Sequence, residues 1–195
     1  MLDLKGHKLV LASQSPRRRE LLKGLDVEFS TCSVDADESF PADLKGADAV
    51  QYICKAKANA YKPLLDNNTI AITADTVVIL DDKIIGKPKS YEEAFSMIRS
   101  LSGRVHEVIT AVCIFSKEKC EEFYSSTEVH FSEITDEEIK YYIDKYKPFD
   151  KAGSYGVQEW IGYIGIEKIV GSYFNVMGLP VKRLYDELKE FIKQL

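Results

Sequence analysis

The residues of this sequence that are best suited to chemistry begin with the stretch Ser13-Gln14-Ser15-Pro16-Arg17-Arg18. An apolar run over 9–12 precedes it and predicts a buried strand. Ser15 suits the N-cap position and Pro16 the first turn of a helix that follows this strand. The free N–H groups and positive dipole end of such a helix, with nearby hydroxyl and guanidinium groups, favour phosphate binding. An ordinary turn with solvated arginines would explain the same residues.

A carboxylate inside a predicted buried strand is the second candidate. Residues 70–80 are apolar apart from Thr73, Asp75 and Thr76, which is typical of a central strand covered on both faces. Burying a carboxylate is costly unless it is paired, binds a metal or opens into a cleft. We therefore predict that Asp75 is functional. The structural alternative is that it caps a neighbouring loop.

Two lysines are predicted to lie near this carboxylate. Residues 47–62 predict a helix, and Lys57 lies on its apolar stripe rather than on the opposite face. Lysines rarely point inward unless they are paired, although this one could reach the surface along its own aliphatic chain. Lys87, in Gly86-Lys87-Pro88, follows a predicted hairpin that includes the strand of Asp75.

The acidic loop Asp35-Ala36-Asp37-Glu38 completes the candidate set. Such a loop is either a solvated turn or, near bound phosphate, a source of the oxygen ligands that Mg²⁺ prefers. Hydrolysis of a phosphoric anhydride needs a base for the attacking water, cations for the growing charge, and a metal and donors for the phosphates. The residues above supply that set. The sequence offers no Ser/His/Asp or Cys/His pairing of comparable quality.

The elements that must position these residues predict a mixed α/β protein. Helices are expected over 16–23, 47–62, 91–101, 136–145 and from about 181 to the C-terminus, with N-caps at Ser15, Ser90 and Thr135. Strands are expected over 9–12, 26–33, 70–80, 83–85, 106–116, 120–131 and 160–170, with a polar, glycine-containing loop over 150–158. We find no internal repeat or linker, and expect one domain over 1–195.

Composition excludes several classes of partner. The chain has 195 residues and a net charge of −5, so sequence-independent binding to nucleic acid or to an anionic membrane is not expected. The four cysteines include no CxxC pair, and no signal peptide or membrane span is recognised. We therefore expect a soluble, cytoplasmic protein with reduced thiols.

The motifs of this sequence resemble those of the Maf family, which is known as septum-formation inhibitors and nucleoside triphosphate pyrophosphatases. They are Ser13-Gln14-Ser15-Pro16-Arg17-Arg18, Ala74-Asp75-Thr76-Val77-Val78, Gly86-Lys87-Pro88, Leu101-Ser102-Gly103-Arg104, Asp150-Lys151-Ala152-Gly153 and Gly178-Leu179-Pro180. They stand in the family order and span nearly the whole chain.

The resemblance implies a Maf/ITPase-like fold, in which an elongated mixed sheet is divided into two lobes with the active site in the cleft between them. It also implies Mg²⁺-dependent cleavage between the α- and β-phosphates, and a homodimer. It leaves open whether Mn²⁺ or Co²⁺ would replace Mg²⁺. The roles it implies are a general base or water-orienting carboxylate at Asp75, phosphate binding at Ser13, Arg17 and the neighbouring Arg18, cleft lysines at Lys57 and Lys87, and metal ligands at Glu38 and Asp75.

Gln158 resembles the branch of the family that hydrolyses dTTP and UTP. A glutamine amide offers both a donor and an acceptor to a pyrimidine edge. The next residue is Glu159, where the family usually has glycine, and the segment up to Gly171 is one residue longer. The alternative function is a cell-division regulator that uses the same cleft to sense nucleotide.

Overall fold

A computed structural model describes residues 2–33 and 36–195, and within these residues the chain is a mixed α/β protein. The strands are β1 (Lys8–Ala12), β2 (Ser30–Cys32), β3 (Thr69–Leu80), β4 (Lys83–Ile85), β5 (Val105–Phe115), β6 (Cys120–Phe131) and β7 (Ile166–Val170). The helices are α1 (Pro16–Lys23), α2 (Gly46–Tyr61), α3 (Tyr91–Leu101), α4 (Asp136–Tyr146), α5 (Trp160–Gly165), α6 (Tyr173–Met177) and α7 (Val181–Lys193). Short 3-10 turns lie at Lys62–Leu64, Pro148–Asp150 and Ala152–Ser154.

The strands form one mixed sheet, in the order β2-β1-β3-β5-β6-β7, with β4 paired to β3. β1 runs parallel to both β2 and β3, and its pairing with β3 places Leu9 opposite Ile70 and Leu11 opposite Ile72. β4 is antiparallel to β3, and β7 is antiparallel to β6. The predicted mixed α/β fold class is therefore confirmed. Every residue of β3 is buried except Asp75 and Thr76, as expected for a central strand with a polar interruption.

The chain divides into two compact units. Unit 1 comprises residues 1–75, 110–125 and 178–195, and unit 2 comprises residues 76–109 and 126–177. Unit 2 has an apolar core contributed by the ends of strands and the inner faces of α3, α4 and α5, including Ile98, Val129, Ile139 and Ile161.

The helix starts follow the capping rules. The Ser15 side chain accepts a hydrogen bond from the Arg18 backbone N–H, and Ser90 does the same for Glu93. Thr135 and Glu138 form a complete capping box at the start of α4. These side chains satisfy N–H groups that have no partner inside the helix, so the predicted N-termini are confirmed.

Three predictions from local pattern are wrong in part. Residues 160–165 form helix α5 instead of strand, and the strand begins only at Ile166. The backbone N–H of Gly162 donates to the Glu159 carbonyl at 2.8 Å, and a Cβ at Gly162 would lie 1.9 Å from the Val157 carbonyl oxygen. This close turn overrides the strand preference of the aromatic and β-branched residues around it.

The other two differences concern β2 and the segment 150–158. Strand β2 spans only Ser30–Cys32, and at Asp26, where the strand was predicted to begin, the chain turns with a φ of +51°. The segment 150–158, predicted as a loop, includes the 3-10 turn Ala152–Ser154 and the last residue of the turn Pro148–Asp150, and it is buried over most of its length. Asp35 of the acidic loop lies outside the described residues. In the part of the chain that the structure describes, no helix is long and apolar enough to cross a membrane.

Candidate active site

The turn from β1 into α1 gathers polar groups of unit 1. The Ser13 hydroxyl accepts hydrogen bonds from the Ser15 backbone N–H at 3.3 Å and from Nη1 of Arg18 at 3.4 Å. Nε of Arg18 donates to the Gly178 carbonyl at 2.9 Å. These contacts fix the guanidinium group of Arg18 beside the start of α1, with Arg17 as its neighbour in the first turn. A helix start with an oriented guanidinium and hydroxyl is a suitable anion-binding arrangement.

Helix α2 and strand β3 are joined by hydrogen bonds between Cys54 and Thr73, which lie close in the chain to Lys57 and Asp75. The Cys54 thiol donates to the Thr73 carbonyl at 3.5 Å, and the Thr73 hydroxyl donates to the Cys54 carbonyl at 3.2 Å. Lys57 follows Cys54 by one helical turn, and Asp75 follows Thr73 on the same face of the strand. This docking explains why the two charged side chains meet.

Lys57 pairs with two carboxylates. Its ammonium nitrogen lies 2.6 Å from Oδ1 of Asp75 and 2.8 Å from Oε1 of Glu38. The side chains of Lys57 and Asp75 are only 13% and 14% exposed, whereas that of Glu38 is 52% exposed. The interior lysine predicted from the sequence is therefore paired rather than extended to the surface.

Burial and charge act in opposite directions on these groups. Burial lowers the pKa of Lys57, but the Asp75 and Glu38 carboxylates outweigh this effect, and the pKa is raised above its ordinary value. Burial lowers the pKa of Arg18, opposed first by the charge of Asp75 and also by that of Glu38. Arg18, Lys57, Glu38 and Asp75 thus form one electrostatic cluster of unit 1, with two positive and two negative charges.

The cluster contains carboxylate oxygens, the ligand type that Mg²⁺ prefers. Glu38 and Asp75 bring their carboxylates to a common point, the Lys57 ammonium. Among residues 2–33 and 36–195, no group of three or more His, Cys, Asp or Glu side chains is arranged to hold a metal ion. Two carboxylates completed by substrate phosphates and water is the coordination that Mg²⁺ commonly uses.

Lys87 and Gln158, the remaining predicted site residues, belong to unit 2. Lys87 is exposed in the segment after β4, where the Gly86 carbonyl accepts a hydrogen bond from the Gly153 backbone N–H at 3.0 Å. Gln158 is half-buried just before α5, and its side-chain oxygen Oε1 is enclosed without a hydrogen-bond partner among the described residues. An enclosed amide oxygen without a donor raises the free energy of the folded protein.

Sequence reasoning missed two supports of these residues. The first is the Gly178 carbonyl, which is 160 positions from Arg18 in the chain. The second is a polar cluster of unit 2 in which Lys151 contacts Glu159 and Glu159 contacts Tyr142. The signal for the second was a lysine inside a glycine-containing segment that proved to be buried.

The fold is that of a mixed α/β protein, and its unit 1 carries a largely buried cluster of two basic and two acidic side chains. The chain matches the model of the family described as Maf-like protein over residues 8–191. This range covers most of the chain, and the chain belongs to the Maf-like protein family.

Two relatives match this chain over nearly its full length and are described by an enzymatic activity. A Parabacteroides distasonis protein described as dTTP/UTP pyrophosphatase is 54% identical over 97% of this chain and 98% of its own length. A Porphyromonas gingivalis protein with the same description is 53% identical over 98% of each chain. Among solved structures, the Staphylococcus aureus Ham1 protein is 14% identical over 64% of this chain and 71% of its own, with a TM-score of 0.45.

Proposed function

We propose that this protein is a nucleoside triphosphate pyrophosphatase that hydrolyses dTTP and UTP to the nucleoside monophosphate and pyrophosphate. The observation that carries the proposal is the buried Lys57–Asp75 pair, which lies in one electrostatic cluster with Arg18. The relatives described as dTTP/UTP pyrophosphatases support the substrate. Such an enzyme would remove these nucleotides, or modified pyrimidine triphosphates, from the pool.

In the proposed mechanism, Asp75 is the general base. Its carboxylate accepts a proton from a water molecule as the water oxygen forms a bond to the α-phosphorus. The bond from the α-phosphorus to the oxygen that bridges to the β-phosphorus breaks, and pyrophosphate leaves with that oxygen. Lys57 holds Asp75 through Oδ1 and stays protonated at neutral pH because its pKa is raised. General-base catalysis of this kind depends on such a fixed carboxylate.

Phosphate binding is assigned to Ser13, Arg17, Arg18 and Lys87. The Arg18 guanidinium is already oriented by Ser13 and Gly178, so it can meet the phosphates with little reorganisation. Glu38 and Asp75 would hold a divalent cation, Mg²⁺ with Mn²⁺ or Co²⁺ as alternatives. When bound, that cation supplies positive charge that offsets the charge spreading over the phosphate oxygens.

Gln158 is assigned to the base. Uracil and thymine present an N–H donor at N3 beside a carbonyl acceptor at O4, and a glutamine amide can pair with both. The Oε1 of Gln158 has no hydrogen-bond donor among the described residues, so pairing with N3–H would not break a contact within the protein.

The reaction is placed in the cytoplasm, and the protein is proposed to act as a homodimer. Free cysteines, two of them buried, favour a reducing compartment. The exposed aromatic side chains Tyr163 and Phe174 favour a protein partner, for which a second copy of the chain is the proposal. Size-exclusion chromatography with light scattering measures the mass of the protein in solution and decides between monomer and dimer.

Pyrophosphate release from a panel of canonical and modified nucleoside triphosphates tests the proposal. With Mg²⁺ present, we expect the wild type to prefer dTTP and UTP, and Asp75→Asn to lose at least about a hundredfold in kcat with its fold intact by circular dichroism. Asp43→Asn, at an exposed position of the same unit, is the matched control. Wild-type activity in Asp75→Asn would remove the assigned base, and no release from any triphosphate would favour the regulatory binding protein.

A further inference from the structure

The carboxylate of Glu159 is held on three sides within unit 2. Its Oε1 lies 3.0 Å from the Lys151 ammonium, and its Oε2 accepts a hydrogen bond from the Tyr142 hydroxyl. A Cβ on Gly156 would lie 2.7 Å from the Glu159 carboxyl carbon, so the carboxylate packs directly on the glycine backbone. The Lys151 side chain is 9% exposed and that of Glu159 is 20% exposed, which makes this a largely buried ion pair.

The same contacts fix the main chain on both sides of Gln158. The Tyr142 hydroxyl accepts a hydrogen bond from the Gly156 backbone N–H at 3.0 Å while donating to Glu159. The Glu159 N–H donates to the Gly156 carbonyl at 3.0 Å, and the Glu159 carbonyl accepts from Gly162 at 2.8 Å. Gln158 lies between the two fixed points, next in the chain to Glu159.

We infer that Glu159 is a positioning residue, which with Lys151 and Tyr142 holds the 156–162 turn so that Gln158 discriminates uracil and thymine from cytosine. The inference rests on the proposed function, in which Gln158 reads the base. The need for positioning follows from the amide group itself. Cytosine presents an acceptor at N3 and a donor at N4, so a glutamine amide turned by half a rotation pairs with it as well. Rejection of cytosine therefore needs an amide with limited freedom to move, and a fixed main chain on both sides of Gln158 limits the positions that its side chain can reach.

The geometry also separates this role from the hydrolysis step. The residues that hold Glu159 belong to unit 2, whereas Asp75, Lys57 and Arg18 belong to unit 1. Loosening the turn therefore changes how the nucleobase is bound. It leaves Asp75, the general base that activates water, in place. The expected consequence is a change in KM and in nucleotide preference with kcat nearly unchanged.

Steady-state kinetics of Glu159→Ala, Glu159→Gln and Tyr142→Phe with dTTP and dCTP test this inference. We expect Glu159→Ala to raise KM for dTTP about tenfold and to lower the preference for dTTP over dCTP about tenfold, the scale of the net contribution of one hydrogen bond. Glu159→Gln keeps the side-chain shape but has only one oxygen for the two donors, Lys151 and Tyr142, so its losses should be smaller than those of Glu159→Ala and still measurable. Glu167→Ala, at an exposed glutamate of the same unit, is the control.

Each outcome decides the matter. A Glu159→Ala protein that keeps both the KM and the preference of the wild type overturns the inference and leaves the proposed function standing. A loss of melting temperature in Glu159→Ala with unchanged preference assigns Glu159 a purely structural role and also overturns it. If Glu159→Ala does not fold, Tyr142→Phe, which keeps the ring and the Lys151–Glu159 pair, gives the same readout.

Failure of the proposed function would be visible separately. A wild type that releases pyrophosphate from no triphosphate refutes the proposed function. In that case calorimetry with non-hydrolysable dTTP and dCTP analogues gives the ratio of the two Kd values. A lower ratio in Glu159→Ala supports the inference, and an equal ratio, or binding of neither analogue, overturns it.

Discussion

Replacing Lys57 by Met tests whether the Lys57–Asp75 pair is buried and interdependent, as the structure requires. Methionine keeps most of the length of the side chain and removes the ammonium group, so the packing of α2 against β3 is largely retained. The variant leaves the Asp75 carboxylate, 14% exposed, without its hydrogen-bonding partner at 2.6 Å. Removing one partner of a buried ion pair costs about 3–5 kcal/mol in typical proteins.

The expected loss here lies just below that range. Arg18 still places a positive charge near Asp75, and Glu38 is half exposed and can turn to solvent. We therefore expect the free energy of unfolding to fall by about 2–3 kcal/mol at pH 7. Urea denaturation followed by circular dichroism measures this loss.

Lys55 provides the matched control on the same helix. Its ammonium lies 2.8 Å from Oε1 of Glu122, but the two side chains are 55% and 25% exposed. Because solvent screens such a pair, Lys55→Met should cost less than about 1 kcal/mol. The double variant Lys57→Met/Asp75→Asn removes the unpaired charge and should recover much of the loss from Lys57→Met.

The pH dependence gives the sign of the effect. The pKa of Lys57 is raised in the folded protein, so the pair stabilises the protein fully below the unfolded lysine value of about 10.4. That stability is lost as the pH rises through the folded-state value. The difference in free energy of unfolding between wild type and Lys57→Met should thus be constant at pH values below about 10.4, the pKa of an unfolded lysine. It should narrow at higher pH. Equal losses for Lys55→Met and Lys57→Met, or no recovery in the double variant, would refute the reasoning.

Two further predictions concern other parts of the molecule. Burial, and next the charge of His130, lower the pKa of His106 to about 4. As the pH falls, the unfolded chain therefore binds a proton at His106 before the folded chain does. The free energy of unfolding should fall by about 3 kcal/mol as the pH drops from about 6.5 toward 4. Denaturation of His106→Gln at several pH values should show a flatter profile, and an unchanged slope would contradict the assignment. Arg18→Lys loses the guanidinium fork that reaches Ser13 and Gly178, and should raise KM for dTTP about tenfold, whereas Arg19→Lys, at an exposed position, should not. An unchanged KM in Arg18→Lys would remove Arg18 from the phosphate site.

The parts of the fold predicted correctly are those in which a local rule and the final structure agree. Ser15 and Thr135 cap their helices because short polar side chains satisfy N–H groups wherever a helix starts. Asp75 and Lys57 were recognisable because charge on an apolar strand or helix face requires a partner. That they are each other's partners follows only from the docking of α2 on β3.

The remaining features depend on contacts that local sequence does not encode. Trp160 to Ile164 have the composition of a strand, but the turn at Gly162 makes them helical. The segment around Lys151 is polar, yet it is buried because Glu159 and Tyr142 satisfy the charge. The Gly178 carbonyl beside Arg18 joins two ends of the chain, and no periodic pattern predicts such a pair.

The measurement that tests the central claim most directly is hydrolysis of dTTP in ¹⁸O-labelled water, with mass spectrometry of both products. Attack of water on the α-phosphorus, activated by Asp75, places the label in dTMP and leaves the pyrophosphate unlabelled. Label in the pyrophosphate, or release of orthophosphate with dTDP, would contradict the proposed site of attack and with it the function assigned to the cluster.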